Sequence, residues 1–386
     1  MKKLIAIILA AVMAFSFAAC GTTEPEEVVP SATPEVTDAP ENSEDTGDIS
    51  EEEYMAKFKD AYAKYAPSTV VMTVNGQDVI WADYYSWVYN IVAQVESYYG
   101  EVDWTTEIEE GYTYNDWVRE YCQVSASQYI AIEQGAKAAG VELTEEGRAE
   151  IEKTLEESIT QYAAGDRDAF MAMLDNMFLT LEYFNYMNEV SYYYEEFFNA
   201  TYGIDGSQLS DEDAIAFAED NGYMRAKHIL YKILDDAGSA LDEATVAEKK
   251  AAADATLETL RACPDQESLL AKFEEILAAE GEDPGMASYP DGYYFTDGEM
   301  VESFENGTKA LQPYELSEVI ESPYGYHIIL RLPLEPDSIV DAQYGVTLRT
   351  AAATNLYGDM IADLTNTAVV EYQNGFDTLN FNDLFA

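Results

Sequence analysis

Two strand-like apolar runs, each holding one of the chain's only two histidines, constrain this sequence more than any other feature. His228 lies in Arg225-Ala-Lys-His-Ile-Leu-Tyr-Lys232, and His327 in Tyr324-Gly-Tyr-His-Ile-Ile-Leu330. Both runs are rich in β-branched and aliphatic residues, the local composition of a buried strand. Taken singly, a histidine there is an ordinary hydrogen-bonded core residue. Two such strands, with no other histidine in the chain, point instead to one shared site.

The pattern around these runs divides the chain. From Glu52 to Gly222 it is mostly helical, with Thr144-Glu-Glu and Ser210-Asp-Glu-Asp placing a capping hydroxyl before acidic first-turn residues. Val70-Val-Met-Thr-Val74 before Asn75-Gly76 is the exception and reads as a strand entering a tight turn. The stretch 181–202 is dense in aromatic side chains, Tyr183, Phe184, Tyr186, Tyr192, Tyr193, Tyr194, Phe197, Phe198 and Tyr202. At helical spacing these are core residues first. Their number exceeds what one buried face holds, so the alternative is an exposed surface for apolar segments of other chains.

From Tyr223 to Leu332 the pattern turns to mixed α/β: a strand over 226–233, helices over 242–261 and 267–279, and a Gly- and Asp-rich loop over 281–292. A short strand over 293–295, a helix over 300–310 and a strand over 325–332 follow. The tail holds a helix over 346–364 and a strand-like Ala368-Val-Val-Glu-Tyr372, a candidate partner for Val70–Val74. Such a pairing would let the two ends of the chain build one domain around an inserted α/β unit.

The N-terminus and the charge bear on location and partners. Met1-Lys2-Lys3, an uncharged run from Leu4 to Ala19 and then Cys20-Gly21 describe a secretory signal. The apolar run falls short of the ~20 residues a spanning helix needs. Residues 21–50 are rich in Glu, Asp, Pro, Ser and Thr, with no Lys or Arg and almost no large apolar side chain, a spacer that cannot bury enough surface to order itself. Without Lys2 and Lys3, the body carries 18 bases against 74 acids, a net charge near −56. A polyanion such as nucleic acid is repelled by such a surface and is excluded as a partner. Three cysteines make no disulfide framework.

The order of motifs in 223–334 resembles the parvulin-type peptidyl-prolyl isomerases. Ala226-Lys-His-Ile-Leu230 is similar to that family's first strand, and Phe273-Glu-Glu-Ile-Leu277 to the helix before its active-site loop. Asp291-Gly-Tyr-Tyr-Phe295, Gly298-Glu-Met300 and Phe304 are similar to the stretch that supplies its proline pocket. Glu315-Leu-Ser-Glu-Val319 and then Ser322-Pro-Tyr-Gly-Tyr-His-Ile-Ile329 are similar to its closing segment. Two departures stand out. Tyr289-Pro-Asp-Gly-Tyr293 replaces the usual Gly-Gly-Asp-Leu-Gly, and Gly281–Ser288 lacks a serine-rich run. Phe17-Ala-Ala-Cys20 resembles a bacterial lipobox, with Phe17 in place of the usual leucine. Val74-Asn-Gly-Gln-Asp-Val-Ile80 and the whole arrangement resemble the PrsA-like foldase lipoproteins of Gram-positive bacteria and their SurA relatives.

The resemblance implies an α+β fold: a parvulin-like domain (a small mixed sheet with surrounding helices) inserted in a mostly helical chaperone domain. The expected organisation is a signal peptide over 1–19, a lipidated linker over 20–50, a helical segment over 51–222, the isomerase unit over 223–334 and a completing segment over 335–386. It implies catalytic roles for His228, Asp283, His327 and Ser322 and a proline-ring pocket from Phe295, Met300 and Phe304. The expected activity is non-covalent cis/trans isomerisation of X-Pro bonds, with no metal or cofactor. Clients would be unfolded, newly secreted proteins containing proline, met at the outer face of the bacterial cell membrane through a lipid on Cys20. Plainer readings stand beside these. Asp283, before Pro284-Gly285, suits a turn former, and Met300 and Phe304 have ordinary core spacing. The rival functions are a non-catalytic holdase and a surface lipoprotein that binds a small ligand or partner. For the anchor, Cys20→Ala is expected to move the protein from the membrane fraction to soluble or unprocessed forms. Mass spectrometry finding an unmodified Cys20 in the mature protein rules the lipobox out.

Overall fold

The structure, a computed structural model, describes residues 50–235, 237–341 and 343–386. The leader, Cys20 and the spacer up to residue 49 lie outside the described residues. The chain forms two compact units, one of residues up to Thr201 together with Leu356–Ala386, the other Tyr202–Asn355.

In the first unit, α1 (Glu51–Tyr62) starts at a capping box, where Ser50 Oγ accepts from the Glu53 amide and the Glu53 carboxylate accepts from the Ser50 amide. Strands β1 (Val70–Val74) and β2 (Gln77–Ile80) form the expected hairpin, with Asn75 and Gly76 both at positive φ (49° and 83°). That is the turn whose twist suits a two-residue connection. There follow α2 (Trp81–Tyr99), a small hairpin of β3 (Glu107–Glu109) and β4 (Tyr112–Thr113), α3 (Tyr114–Ala138), α4 (Glu145–Ala163), α5 (Arg167–Asn176) and α6 (Leu181–Tyr202).

The core of this unit is aromatic. The Phe58 ring lies 5.2 Å from Tyr54, 4.9 Å from Tyr89 and 5.3 Å from Phe385, mostly edge-on, the geometry that ring quadrupoles favour. Two buried polar tips bond within it: Tyr85 donates to the Phe58 carbonyl at 2.7 Å and Trp87 Nε1 to Tyr183 Oη at 2.9 Å. On α6, Tyr183, Phe184, Tyr193, Phe197 and Phe198 are buried and the remaining aromatics half-buried, so the core reading of 181–202 holds. The rings that exceed one face are taken up by neighbours, as where Tyr357 packs on Tyr194, Phe197 and Phe198. The most exposed large apolar side chain is Tyr98, at the end of α2.

The second unit opens with α7 (Asp211–Asp220), capped by Ser210, and continues with β5 (Met224–Lys232), α8 (Glu243–Arg261), α9 (Gln266–Glu280), the one-turn α10 (Gly285–Ser288), β6 (Tyr293–Phe295) and α11 (Glu302–Lys309). Strands β7 (Ile320–Ser322) and β8 (Gly325–Leu332) and the short pair β9 (Ile339–Asp341) and β10 (Val346–Thr347) complete it. The four-stranded sheet runs β6-β5-β8-β7, and every pairing is antiparallel, in place of the mixed sheet expected. For β7 and β8 the reason is connection length. Only Pro323 and Tyr324 join β7 to β8, and a parallel pair needs a crossover of about a dozen residues.

One face of this sheet buries Ile229, Tyr231, Ile328 and Leu330 against Leu257 and Leu260 of α8 and Phe273 of α9. Full burial of Phe273 alone contributes roughly 1.5–3 kcal/mol. The other face carries Ala226 and Ile329 under Phe304 of α11. A β-carbon on Gly307 would come within 2.0 Å of Ile320 Cδ1, so the absence of a side chain there lets α11 lie on the sheet with Ile320 in its present place. Two-sided cover explains why β5 and β8 read as continuous apolar runs.

The tail supplies α12 (Leu348–Asn366), β11 (Val370–Tyr372) and α13 (Phe381–Phe385). β11 pairs antiparallel with β1, Met72 opposite Tyr372 and Val74 opposite Val370, as the two ends of the sequence predicted. Among the described residues, no helix is long and apolar enough to cross a membrane.

Candidate active site

Strand register brings the two histidines together. In the β5–β8 ladder His228 stands opposite Ile329, and Leu230 opposite His327. The histidines are therefore diagonal neighbours on one face, the face under α11. Their rings are near-parallel, 5.0 Å apart, with Nδ1 to Nδ1 at 2.9 Å, and each residue is under 5 % exposed. At that distance and burial one nitrogen donates and the other accepts.

Groups at both ends settle the direction. His228 Nε2 lies 2.7 Å from Asp283 Oδ2, and Ser322 Oγ 2.6 Å from His327 Nε2. An ionised carboxylate only accepts, so His228 carries a proton on Nε2, and where that is its one ring proton it offers the bare Nδ1 to His327. His327 then carries its proton on Nδ1, and its Nε2 accepts from the Ser322 hydroxyl. Ser322 Oγ in turn accepts from the Tyr324 amide at 3.1 Å. The result is a one-way chain from Ser322 through the two imidazoles to a carboxylate.

Charge follows the same logic. Burial drives the His327 pKa down from 6.5 to about 3, with His228 acting in the same direction against a weaker pull from Asp283. Burial alone would raise the Asp283 pKa. Hydrogen bonds from His228, Tyr293 and the Gly285 amide outweigh it and hold that carboxyl at about 2. Asp283 sits in a turn and also reaches the histidines: Oδ1 takes the Gly285 amide at 3.1 Å, and Oδ2 takes His228.

Of the apolar residues singled out, Phe304 stands edge-on to both imidazoles, 5.1 Å from His228 and 5.6 Å from His327. Phe295 lies 5.6 Å beyond it and is 1 % exposed, while Met300 is half-buried against the same cluster. Two residues escaped the sequence reading. Tyr293 donates to Asp283 Oδ2 at 2.7 Å, and the buried Glu305 accepts from the Gly298 and Met300 amides at 2.6 and 3.1 Å, shaping the loop that presents Met300. Strand alternation was a usable signal for Tyr293, two residues before Phe295. Nothing local marks Glu305. Among the described residues no cluster of His, Cys, Asp and Glu is arranged to hold a metal.

Residues 228–332 match the family model of the PPIC-type PPIASE domain, the rotamases. The chain is 29% identical over 199 residues to the foldase protein PrsA of Halalkalibacterium halodurans, 50% of this chain and 52% of that protein. It is 28% identical over 104 residues to the chaperone SurA of Thiobacillus denitrificans, 26% of this chain and 24% of that one. The chain thus spans about half the length of the first of these curated relatives and about a quarter of the second. Solved PrsA structures from Bacillus subtilis and Lactococcus lactis are 17% and 15% identical, cover 78% and 82% of this chain and 91% and 98% of theirs, and give TM-scores of 0.24 and 0.27. Within the second unit, residues 228–332 thus carry the match to the PPIC-type domain. The chain that carries it is PrsA-like.

With two histidines in the whole chain, imidazole NMR resonances resolve each one. The His327 Hε1 signal is expected to stay fixed as pH falls from about 8 to 4, where a free imidazole titrates near 6.5. Its folded pKa is depressed, so the unfolded chain takes up the proton first. Stability is therefore full above about 6.5 and is lost as pH falls toward about 3, where the melting temperature should decline. A His327 signal that titrates near 6.5 contradicts the buried neutral imidazole.

Proposed function

We propose that this site isomerises X-Pro peptide bonds without forming a covalent bond to substrate, in a foldase held outside the cytoplasm by a lipid on Cys20. The observation that carries the reading is the buried, fully connected chain Ser322–His327–His228–Asp283 beside Phe304 and Met300. Twisting an amide destroys its C–N resonance, which sets a barrier of ~18–20 kcal/mol. A catalyst of that step needs only to bind the twisted amide better than either planar form. Two features serve that end: an apolar seat for the pyrrolidine ring, and dipoles already oriented when the amide's polarity changes.

In this reading Met300 and Phe304, backed by Phe295, form the seat, and His228 and His327 the oriented floor. Asp283 and Ser322 hold the two imidazoles in fixed tautomers. Covalent attack has no candidate here. Asp283 already accepts three hydrogen bonds, and Ser322 Oγ both donates and accepts. Neither described cysteine, Cys122 in α3 or Cys263 after α8, belongs to the network. Of the cations on the first strand, Lys227 is engaged by Glu274 at 2.5 Å, which gives no support to a phosphate-directed site.

The clients we infer are unfolded secreted proteins containing proline, handled by 51–222 and 335–386 as a chaperone body into which 223–334 is inserted. The β1–β11 pairing supports a body built from the two ends of the chain, while the compact units divide at Thr201 and Leu356, so 202–222 and 335–355 fall with the inserted unit. His228→Ala and His327→Ala are each expected to lower kcat/KM on a proline peptide by at least about tenfold, with the double variant little worse than either, since the two act as one unit. Wild-type rates in either folded single variant sink the assignment. Replacing 223–334 by a short Gly/Ser linker is expected to leave a folded remnant that lacks isomerase activity and still delays aggregation of an unfolded client. A folded remnant that leaves aggregation unchanged removes the chaperone half.

A further inference from the structure

The Asp283 carboxylate has a donor that the sequence motifs do not announce. Its Oδ2 lies 2.7 Å from His228 Nε2 and also 2.7 Å from Tyr293 Oη. Backbone pairing fixes where that phenol stands: Tyr293 is opposite Ala226, two residues before His228 on the same face of β5. The Tyr289 ring packs 5.2 Å away on its flank. Its hydroxyl fits because position 285 is glycine. A β-carbon there would lie 1.7 Å from Tyr293 Oη and 3.4 Å from Asp283 Oδ1. The same Gly285 gives its amide to Oδ1 at 3.1 Å.

We propose that Tyr293 is a positioning residue of this site: its hydroxyl, seated in the space Gly285 leaves open, holds Asp283 in line with His228 and so sets the direction of the whole hydrogen-bond chain. With two donors on Oδ2 and one on Oδ1, the carboxylate cannot turn about its Cβ–Cγ bond without breaking a charge-assisted hydrogen bond. His228 must then donate through Nε2, and every group up to Ser322 follows. The phenol stays protonated in this role, since burial and the charges of Asp283 and Tyr289 push its pKa up. The groups facing Asp283 are His228 from β5, Tyr293 from β6 and the Gly285 amide of α10, with Tyr289 behind the phenol.

The test uses the full chain with Tyr293→Phe and Gly285→Ala, and Tyr294→Phe as control, because the Tyr294 hydroxyl meets the Glu335 backbone instead. Only the activity arm rests on the isomerase reading. In Tyr293→Phe the carboxylate loses one of its charge-assisted donors, so kcat should fall about tenfold with KM within about twofold. The remaining His228 Nε2–H···Oδ2 bond tightens, and its proton resonance should move downfield. That resonance should also vanish at a higher pH than in wild type, because Asp283 protonates more readily. Gly285→Ala should reproduce both effects, and the double variant should be no worse than the worse single. An unchanged His228 resonance in Tyr293→Phe overturns the proposal whatever the activity does, and so does an unchanged kcat in an active enzyme. If the wild type shows no isomerase activity, the functional reading fails. The resonance alone then decides, a shift supporting the role of Tyr293 and its absence refuting it. Should Gly285→Ala fail to fold, Tyr293→Phe, which removes a single oxygen, carries the same decision.

Discussion

The contact between His228 Nδ1 and His327 Nδ1 is the point on which the second unit turns. Two imidazoles buried at 2.9 Å cannot both be charged, and neither can be left without a partner. Once that pair exists, an acceptor is required at one end and a donor at the other, and Asp283 and Ser322 fill those places. The surrounding strands must hold the register that makes the histidines diagonal neighbours. A slip of one residue in β5 against β8 would send one ring to the opposite face, into the cluster around Phe273.

Acidity could have worked against such a core, and the structure shows how it is handled. Several carboxylates are used as acceptors for backbone amides: Glu305 for Gly298 and Met300, Glu282 for Lys232, Asp283 for Gly285. Three of the four arginines of this unit do the converse and bind backbone carbonyls. Arg225 reaches those of Asp291 and Pro333, Arg331 that of Leu311, and Arg349 that of Leu209. Arg225 thereby ties the loop before β6 to the chain after β8, on either side of the strand that carries His228.

Much of the fold was legible along the chain because its signals are local. The Asn75-Gly76 turn, the hydroxyl caps at Thr144 and Ser210, the break at Cys263-Pro264 and the alternation of helix and strand from 223 to 332 each need only near neighbours. The small β3–β4 and β9–β10 pairs went unread, since two or three residues of strand carry no periodicity above background. The sheet was expected to be mixed and is antiparallel throughout, because pairing direction depends on how each strand returns, which a list of elements does not state.

For the site, sequence alone singled out the residues that come together: two histidines in two apolar strands, a carboxylate in a Gly-rich loop, and Met300 and Phe304 four positions apart. Tertiary structure decided how they act. It alone set the Nδ1-to-Nδ1 contact, from which the tautomers of both rings follow, and it alone showed that the two oxygens of Asp283 do different work. Tyr293 belongs to the same class: its motif was visible, but the reach of its hydroxyl over Gly285 was not. The reason is physical. Residue type and spacing report local backbone preference and the face a side chain occupies, whereas a hydrogen bond between residues 55 or 99 positions apart depends on register and packing that no local window contains.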